Sequence, residues 1–227
     1  VSGISVHAID VAKESVWSFN GGLPQWRHPK YSYQLSATFH PFPGYPHDIS
    51  VVRETAKLVQ ELCPPIWDVE MYVADWEETG YTNAFSTVKD AYRDEEPTVG
   101  FVMFSGKRIP PHPGMTRHLV GHEYGHNVAY MLSKVWGDKN VHDQPWMKAY
   151  AKMRGLPKSS NHHGSGGNWH SSVREIFATD FRFAVCGLEK EYWPHLGVPK
   201  PDRVPAVADW WAKTLRELRE YREGIRP

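Results

Sequence analysis

Apolar and polar positions alternate from Ile4 to Ile9 and again from Tyr33 to Phe39, the period-two pattern of strands with one buried face. Between them Val16 to Phe19 is short and aromatic, and Asn20-Gly21-Gly22 supplies a turn. The run Pro41-Phe42-Pro43-Gly44-Tyr45-Pro46 then breaks regular structure, so residues 1–47 read as a β-rich segment. The period changes at residue 48. Ile49, Val52, Ala56, Val59 and Leu62 fall on one stripe, which predicts a helix from about Asp48 to Leu62, ended by Pro64-Pro65. Val69, Met71 and Val73 alternate as a strand. Val99 to Phe104 is a second apolar run, bounded by Pro97 and Pro110-Pro111. That run fits either an ordinary buried strand or an edge that pairs with an extended peptide.

The longest uninterrupted helical pattern runs from about Thr116 to Val135, and a shorter one covers Trp146 to Met153. Residues 155–169 are rich in Gly, Ser, Asn and His and predict a mobile loop. A further helix is expected to start near Ser171 or Ser172 and end by Gly187. The last, Ala206 to Tyr221, puts Trp210, Trp211, Thr214, Leu215 and Leu218 on an apolar face. No internal repeat or linker interrupts this order. The expectation is one α+β domain over 1–227, its residues 1–47 a β-rich extension and 48–227 the functional core.

Composition narrows the classes. At 41% hydrophobic and 13% aromatic residues the chain can bury a substantial core. Twenty-six basic side chains cancel twenty-six acidic ones, which leaves no broad cationic field for nucleic acid or an anionic membrane. No run approaches the roughly 18 apolar residues of a spanning helix. Two cysteines, Cys63 and Cys186, are too few for a disulfide framework. An opening on Val1 without a charged-then-apolar leader is what a mature or trimmed chain would show, and it leaves the compartment open. Ten tryptophans suggest ligand stacking, but Trp210 and Trp211 lie on or beside an apolar stripe and the rest have no regular spacing, which favours packing.

The chemistry concentrates in His122-Glu123-Tyr124-Gly125-His126. Residues four apart share a helix face, so both imidazoles can grip one zinc ion while Glu123 acts as general base. A zinc hydrolase needs a third protein ligand and an open position for water. His118 fails on distance: eight residues from His126 is about 12 Å along a helix, against metal–nitrogen bonds of about 2 Å. Ala129 and Leu132 replace the Gly and His of the metzincin extension. Glu175, near the start of the helix after Ser172, is the better candidate. Its local alternative is a capping box with Ser172, in which the carboxylate would only satisfy a backbone N–H. Asp180, turned away from Glu175, is at most a supporting residue.

With these blocks in view the chain resembles the gluzincin metalloproteases, most closely the branch holding anthrax lethal factor and the Pro-Pro endopeptidases. The resemblance rests on His122-Glu123-Tyr124-Gly125-His126 and on Glu175-Ile176-Phe177-Ala178-Thr179-Asp180-Phe181-Arg182, similar to that branch's E-x-F-A-x-x-F-R, and covers residues 115–187. It implies a zincin-like fold, zinc held by His122, His126 and Glu175, Glu123 as general base, and a peptide or protein substrate cleaved by a zinc-activated water. The branch carries an oxyanion-assisting tyrosine seven residues before the ligand glutamate, where this chain has Asn168. His170 or His163 could replace it by donating a hydrogen bond. The resemblance leans toward an extracellular enzyme, with a cytoplasmic one as the alternative. The competing reading is a catalytically weak or inactive zinc-containing peptide-binding module, which intact Glu123 disfavours. A chromatin-directed protease is disfavoured by zero net charge, and a deformylase by the Leu62-Cys63-Pro64-Pro65 context.

Overall fold

The computed structural model describes residues 2–9, 17–20, 23–27, 34–40, 47–74, 77–78, 84–89, 98–104, 112–137, 145–156, 169–195 and 197–225. Two four-stranded sheets and five helices make up the regular structure among these residues, a mixed α and β architecture. The first sheet contains β1 (Ile4–Ile9), β5 (Asp68–Ala74), β8 (Val99–Phe104) and β7 (Ala84–Lys89), in the order β1-β5-β8-β7. The second contains β2 (Trp17–Asn20), β3 (Leu23–Arg27), β4 (Gln34–His40) and β6 (Glu77–Glu78), all antiparallel. Residues 1–47 thus hold four strands, and β1 is laid parallel on β5 with Ile4 opposite Val69.

β8 takes the first of its two alternatives, the ordinary buried strand. It pairs parallel with β5 on one side and antiparallel with β7 on the other, and all six residues are buried. Both rows of its backbone groups are used within the sheet, so no peptide can add to it. Among the described residues the sheet ends on that side at β7, whose run Ala84-Phe85-Ser86-Thr87-Val88-Lys89 mixes small and polar residues and carries no clear strand pattern.

Helix α1 (Ile49–Leu62) starts at Asp48, whose carboxylate accepts from the Ser50 backbone N–H at 2.8 Å. Helix α2 (Pro113–Val135) begins three residues before the predicted Thr116. Pro113 at its first position needs no N–H partner, and His112 Nδ1 caps it by accepting from Met115 N at 3.2 Å. Seventeen of its 23 residues are buried, because α2 packs on β7 and β8, on α1, and on α4 and α5. Tyr124 on α2 donates to the Cys63 carbonyl at 2.6 Å, tying α2 to the end of α1.

Helices α4 (Val173–Asp180) and α5 (Pro205–Arg222) pack against α2, and α3 (Pro145–Met153) meets it through Trp146, whose Nε1 donates to Ser133 Oγ at 3.3 Å. One wide turn, Phe181–Val185, extends α4, and the chain leaves it through Gly187 at φ 65°. Trp136, Trp146, Tyr150, Phe177, Trp210 and Trp211 meet mostly edge-to-face between these helices, so the tryptophans named here are core packing. Cys63 and Cys186 are both buried free thiols. No helix among the described residues is long and apolar enough to cross a membrane.

The contact between α2 and α4 is set by one missing side chain. A Cβ on Gly125 would stand 2.9 Å from the Ala178 Cα and 2.9 Å from its carbonyl oxygen. Both obstacles are backbone, so α2 and α4 could accommodate it only by separating. Gly125→Ala is expected to lower unfolding stability by about 1–3 kcal/mol, the usual cost of overpacking. Urea denaturation of the variant beside wild type measures this.

Candidate metal centre

His122 and His126 project from one face of α2, their rings 4.8 Å apart and nearly perpendicular at 88°. Glu175 comes from the first turn of α4, the helix pressed against Gly125. Its Oε2 lies 3.0 Å from His122 Nε2 and 3.4 Å from His126 Nε2. One donor atom from each of the three residues fits within 4.8 Å of the others. Ser172 is the helix-capping residue, but its side chain makes no capping bond, so the capping-box alternative for Glu175 is not what forms. A carboxylate between two imidazoles in a dry cleft gains more than one shared with a single backbone N–H.

Burial works against the Glu175 carboxylate, but the imidazoles of His126 and His122 outweigh it and hold the carboxyl well below its usual range. Burial pushes His126 downward, with Glu175 opposing. Glu123, adjacent in sequence and buried, is pushed up to about 7, first by burial and further by Glu175, while His122, Ser86 on β7 and Arg174 partly offset this. An ionised carboxylate beside imidazole nitrogen is the ligand state a divalent metal requires. Two histidine nitrogens and a carboxylate oxygen are the donor types zinc accepts with a fourth position left for water. A tetrahedral ion with bonds of about 2 Å spaces its ligand atoms about 3.3 Å apart, close to both imidazole–carboxylate separations. The three side chains therefore fit a metal of this kind.

The outer contacts of the two imidazoles differ. His122 Nδ1 lies 3.1 Å from Thr179 Oγ1 on α4, and that hydroxyl lies 2.9 Å from His195 Nε2. His195 Nδ1 in turn donates to the His170 carbonyl at 3.0 Å. On the other imidazole, Arg174 Nε donates to His126 Nδ1 at 3.3 Å. The segment carrying His195 is held by two buried arginines. Arg182 donates to the carbonyls of Leu188, Glu189 and Tyr192, and Arg154 to that of Pro199 at 2.6 Å.

The remaining predicted residues fall as follows. His170 is exposed, on the short turn before α4, and its Nδ1 donates to the Pro194 carbonyl at 2.7 Å. His163 and Asn168 lie outside the described residues, as does most of the predicted loop 155–169. Asp180 faces away from the donor cluster, in an ion pair of 2.8 Å with Arg154 and a hydrogen bond from Tyr150. His118 is no part of the donor cluster. Its ring stacks on His122 at 5.8 Å and meets the Tyr192 ring edge at 4.9 Å. Thr179 and His195 went unnoticed in the sequence. Thr179 carried a signal, standing one helical turn after Glu175 on the same face, whereas nothing local marks His195. A scan against family models gave no match, and neither did searches of curated proteins and of solved structures. The functional reading therefore rests on the site itself.

Burial, and then the charges of Arg182, His122 and His195, push His118 from 6.5 down to about 2. The unfolded chain binds a proton there below pH 6.5 and the folded chain does not, so stability drops as pH falls through that value. In the metal-free protein, His118→Phe should remove about one proton from this dependence, or ~1.4 kcal/mol per pH unit between about pH 6 and 4. Urea midpoints across that range measure it.

Proposed function

We propose that this protein is a zinc-dependent endopeptidase of the gluzincin type, with His122, His126 and Glu175 as ligands and Glu123 as general base. The observation that carries the reading is the convergence of three donor atoms within 4.8 Å, with a second, base-competent carboxylate buried beside them. A mixed sheet alongside the long helix, and a second helix delivering the glutamate, suit the zincin-like fold that the resemblance implies.

Zinc bound here supplies a Lewis acid that acidifies water and polarises a carbonyl. Glu123, lifted to about 7, is poised to take the proton of the attacking water and to pass it to the leaving amine. Its burial matters because a carboxylate in bulk water would be too weak a base. Among the described residues β7 pairs only with β8, and its Ser86 lies beside Glu123. An extended peptide added to the outer edge of β7 would thus run past the base.

The test is metal analysis combined with cleavage of a mixed peptide library. Wild type is expected to bind one zinc per chain and to cleave. Glu123→Gln should retain zinc and lose at least about 100-fold in cleavage, and Glu175→Ala should lose zinc. Full zinc in Glu175→Ala would remove that residue from the site. Stoichiometric zinc with no cleavage of any library member would favour the inactive binding module.

A further inference from the structure

The chain of contacts His122–Thr179–His195–His170 has only one consistent direction, and that direction bears on the metal site. A backbone carbonyl can only accept, so the His170 carbonyl requires a proton on His195 Nδ1. His195 is fully buried, and burial pushes it down to about 4, so the ring is neutral near pH 7 and its Nε2 holds a lone pair. Thr179 must then donate its only proton to that Nε2. Its hydroxyl is left to accept, and the partner 3.1 Å away is His122 Nδ1, which must carry a proton. In a neutral imidazole a protonated Nδ1 means a bare Nε2. Resting on the metal-centre reading above, we infer that Thr179 and His195 are positioning residues that commit His122 to offer Nε2 to the metal.

The geometry at the other end agrees. With Nδ1–H given to Thr179, the 3.0 Å approach of His122 Nε2 to the Glu175 carboxylate needs a cation between two lone pairs, either a proton or a metal ion. His126 has the opposite environment. Arg174 presents a donor to its Nδ1, which leaves the ring proton on Nε2, facing Glu175. The two ligands therefore divide the work: His122 is set in advance by a buried relay, and His126 must shift its proton as Arg174, half-buried, turns away. The relay's far end is fixed independently, since Arg182 holds the carbonyls of Leu188, Glu189 and Tyr192 and Arg154 that of Pro199, on either side of His195.

The direction of the relay can be read without any variant. Long-range ¹H–¹⁵N spectra of histidine-labelled, zinc-loaded protein should show His195 as the Nδ1–H tautomer, the minority form of free histidine. Finding His195 with Nε2–H would overturn the inference, because Thr179 would then donate to His122 Nδ1 and the relay would run backwards. Zinc affinity, measured by competition with a chromophoric chelator, supplies the second arm. Thr179→Val keeps the shape and removes the hydroxyl, and should weaken zinc by about ten- to a hundredfold, while Thr179→Ser should restore binding to within a few-fold of wild type. Melting of the metal-free proteins checks that the valine variant folds. Unchanged zinc affinity in a folded Thr179→Val, with wild-type binding still dependent on Glu175, would sink the relay alone. Failure of wild type to bind zinc would instead remove the metal-centre reading, and the relay with it.

Discussion

Helices α2 and α4 meet backbone to backbone where Gly125 faces Ala178, and the candidate site depends on that approach. Glu175 lies one turn before Ala178, so the contact fixes how deeply its carboxylate reaches between His122 and His126. Helix α2 has little freedom to compensate, because it is buried on nearly every side by β7, β8, α1 and α5. Gly125 sits inside the His-Glu-x-x-His block itself, so the same five residues supply two donor side chains, a buried carboxylate and the groove that admits the third donor.

Burial governs the chemistry of the cleft. Glu123 is pushed up because its charged form loses water, while Glu175, also largely shielded from water, is held ionised by two imidazoles. Two electrostatically coupled carboxylates in one cleft thus take different protonation tendencies. The same dryness makes the polar support around them expensive to leave incomplete. Arg182 answers with three backbone carbonyls, and Asp180 and Arg154 answer each other. The aspartate and arginine that stand in the second sequence block thus act away from the donor atoms, Asp180 on Arg154 and Arg182 on the segment before His195.

Much of this was legible in the chain. The helical stripes of α1 and α5 follow from apolar spacing, α2 from a long pattern without proline, and residues four apart on α2 had to share a face. Glu175 was legible as a candidate because a carboxylate in a first helical turn can reach outward, though only tertiary packing decides between a cap and a partner on α2. Strand β7 was not legible, since an edge strand with Ser86 and Thr87 lacks a strong apolar alternation. Nor was the interior position of β8, because an apolar run reads alike whether one or both edges are paired. His195 was hidden for a different reason. Its role comes from a loop folded back by Arg182 and Arg154, and no local pattern encodes contacts made across 16 to 25 residues of chain.

The central claim is that α2 and α4 build one zinc site from two imidazoles and a carboxylate. X-ray absorption at the zinc edge of the stoichiometric complex tests it most directly, because it identifies the donor atoms regardless of activity. The account predicts a shell of about four nitrogen and oxygen neighbours near 2.0–2.1 Å, with multiple scattering from two imidazoles and no sulfur. A sulfur neighbour near 2.3 Å, or scattering that requires three or more imidazoles, would contradict it.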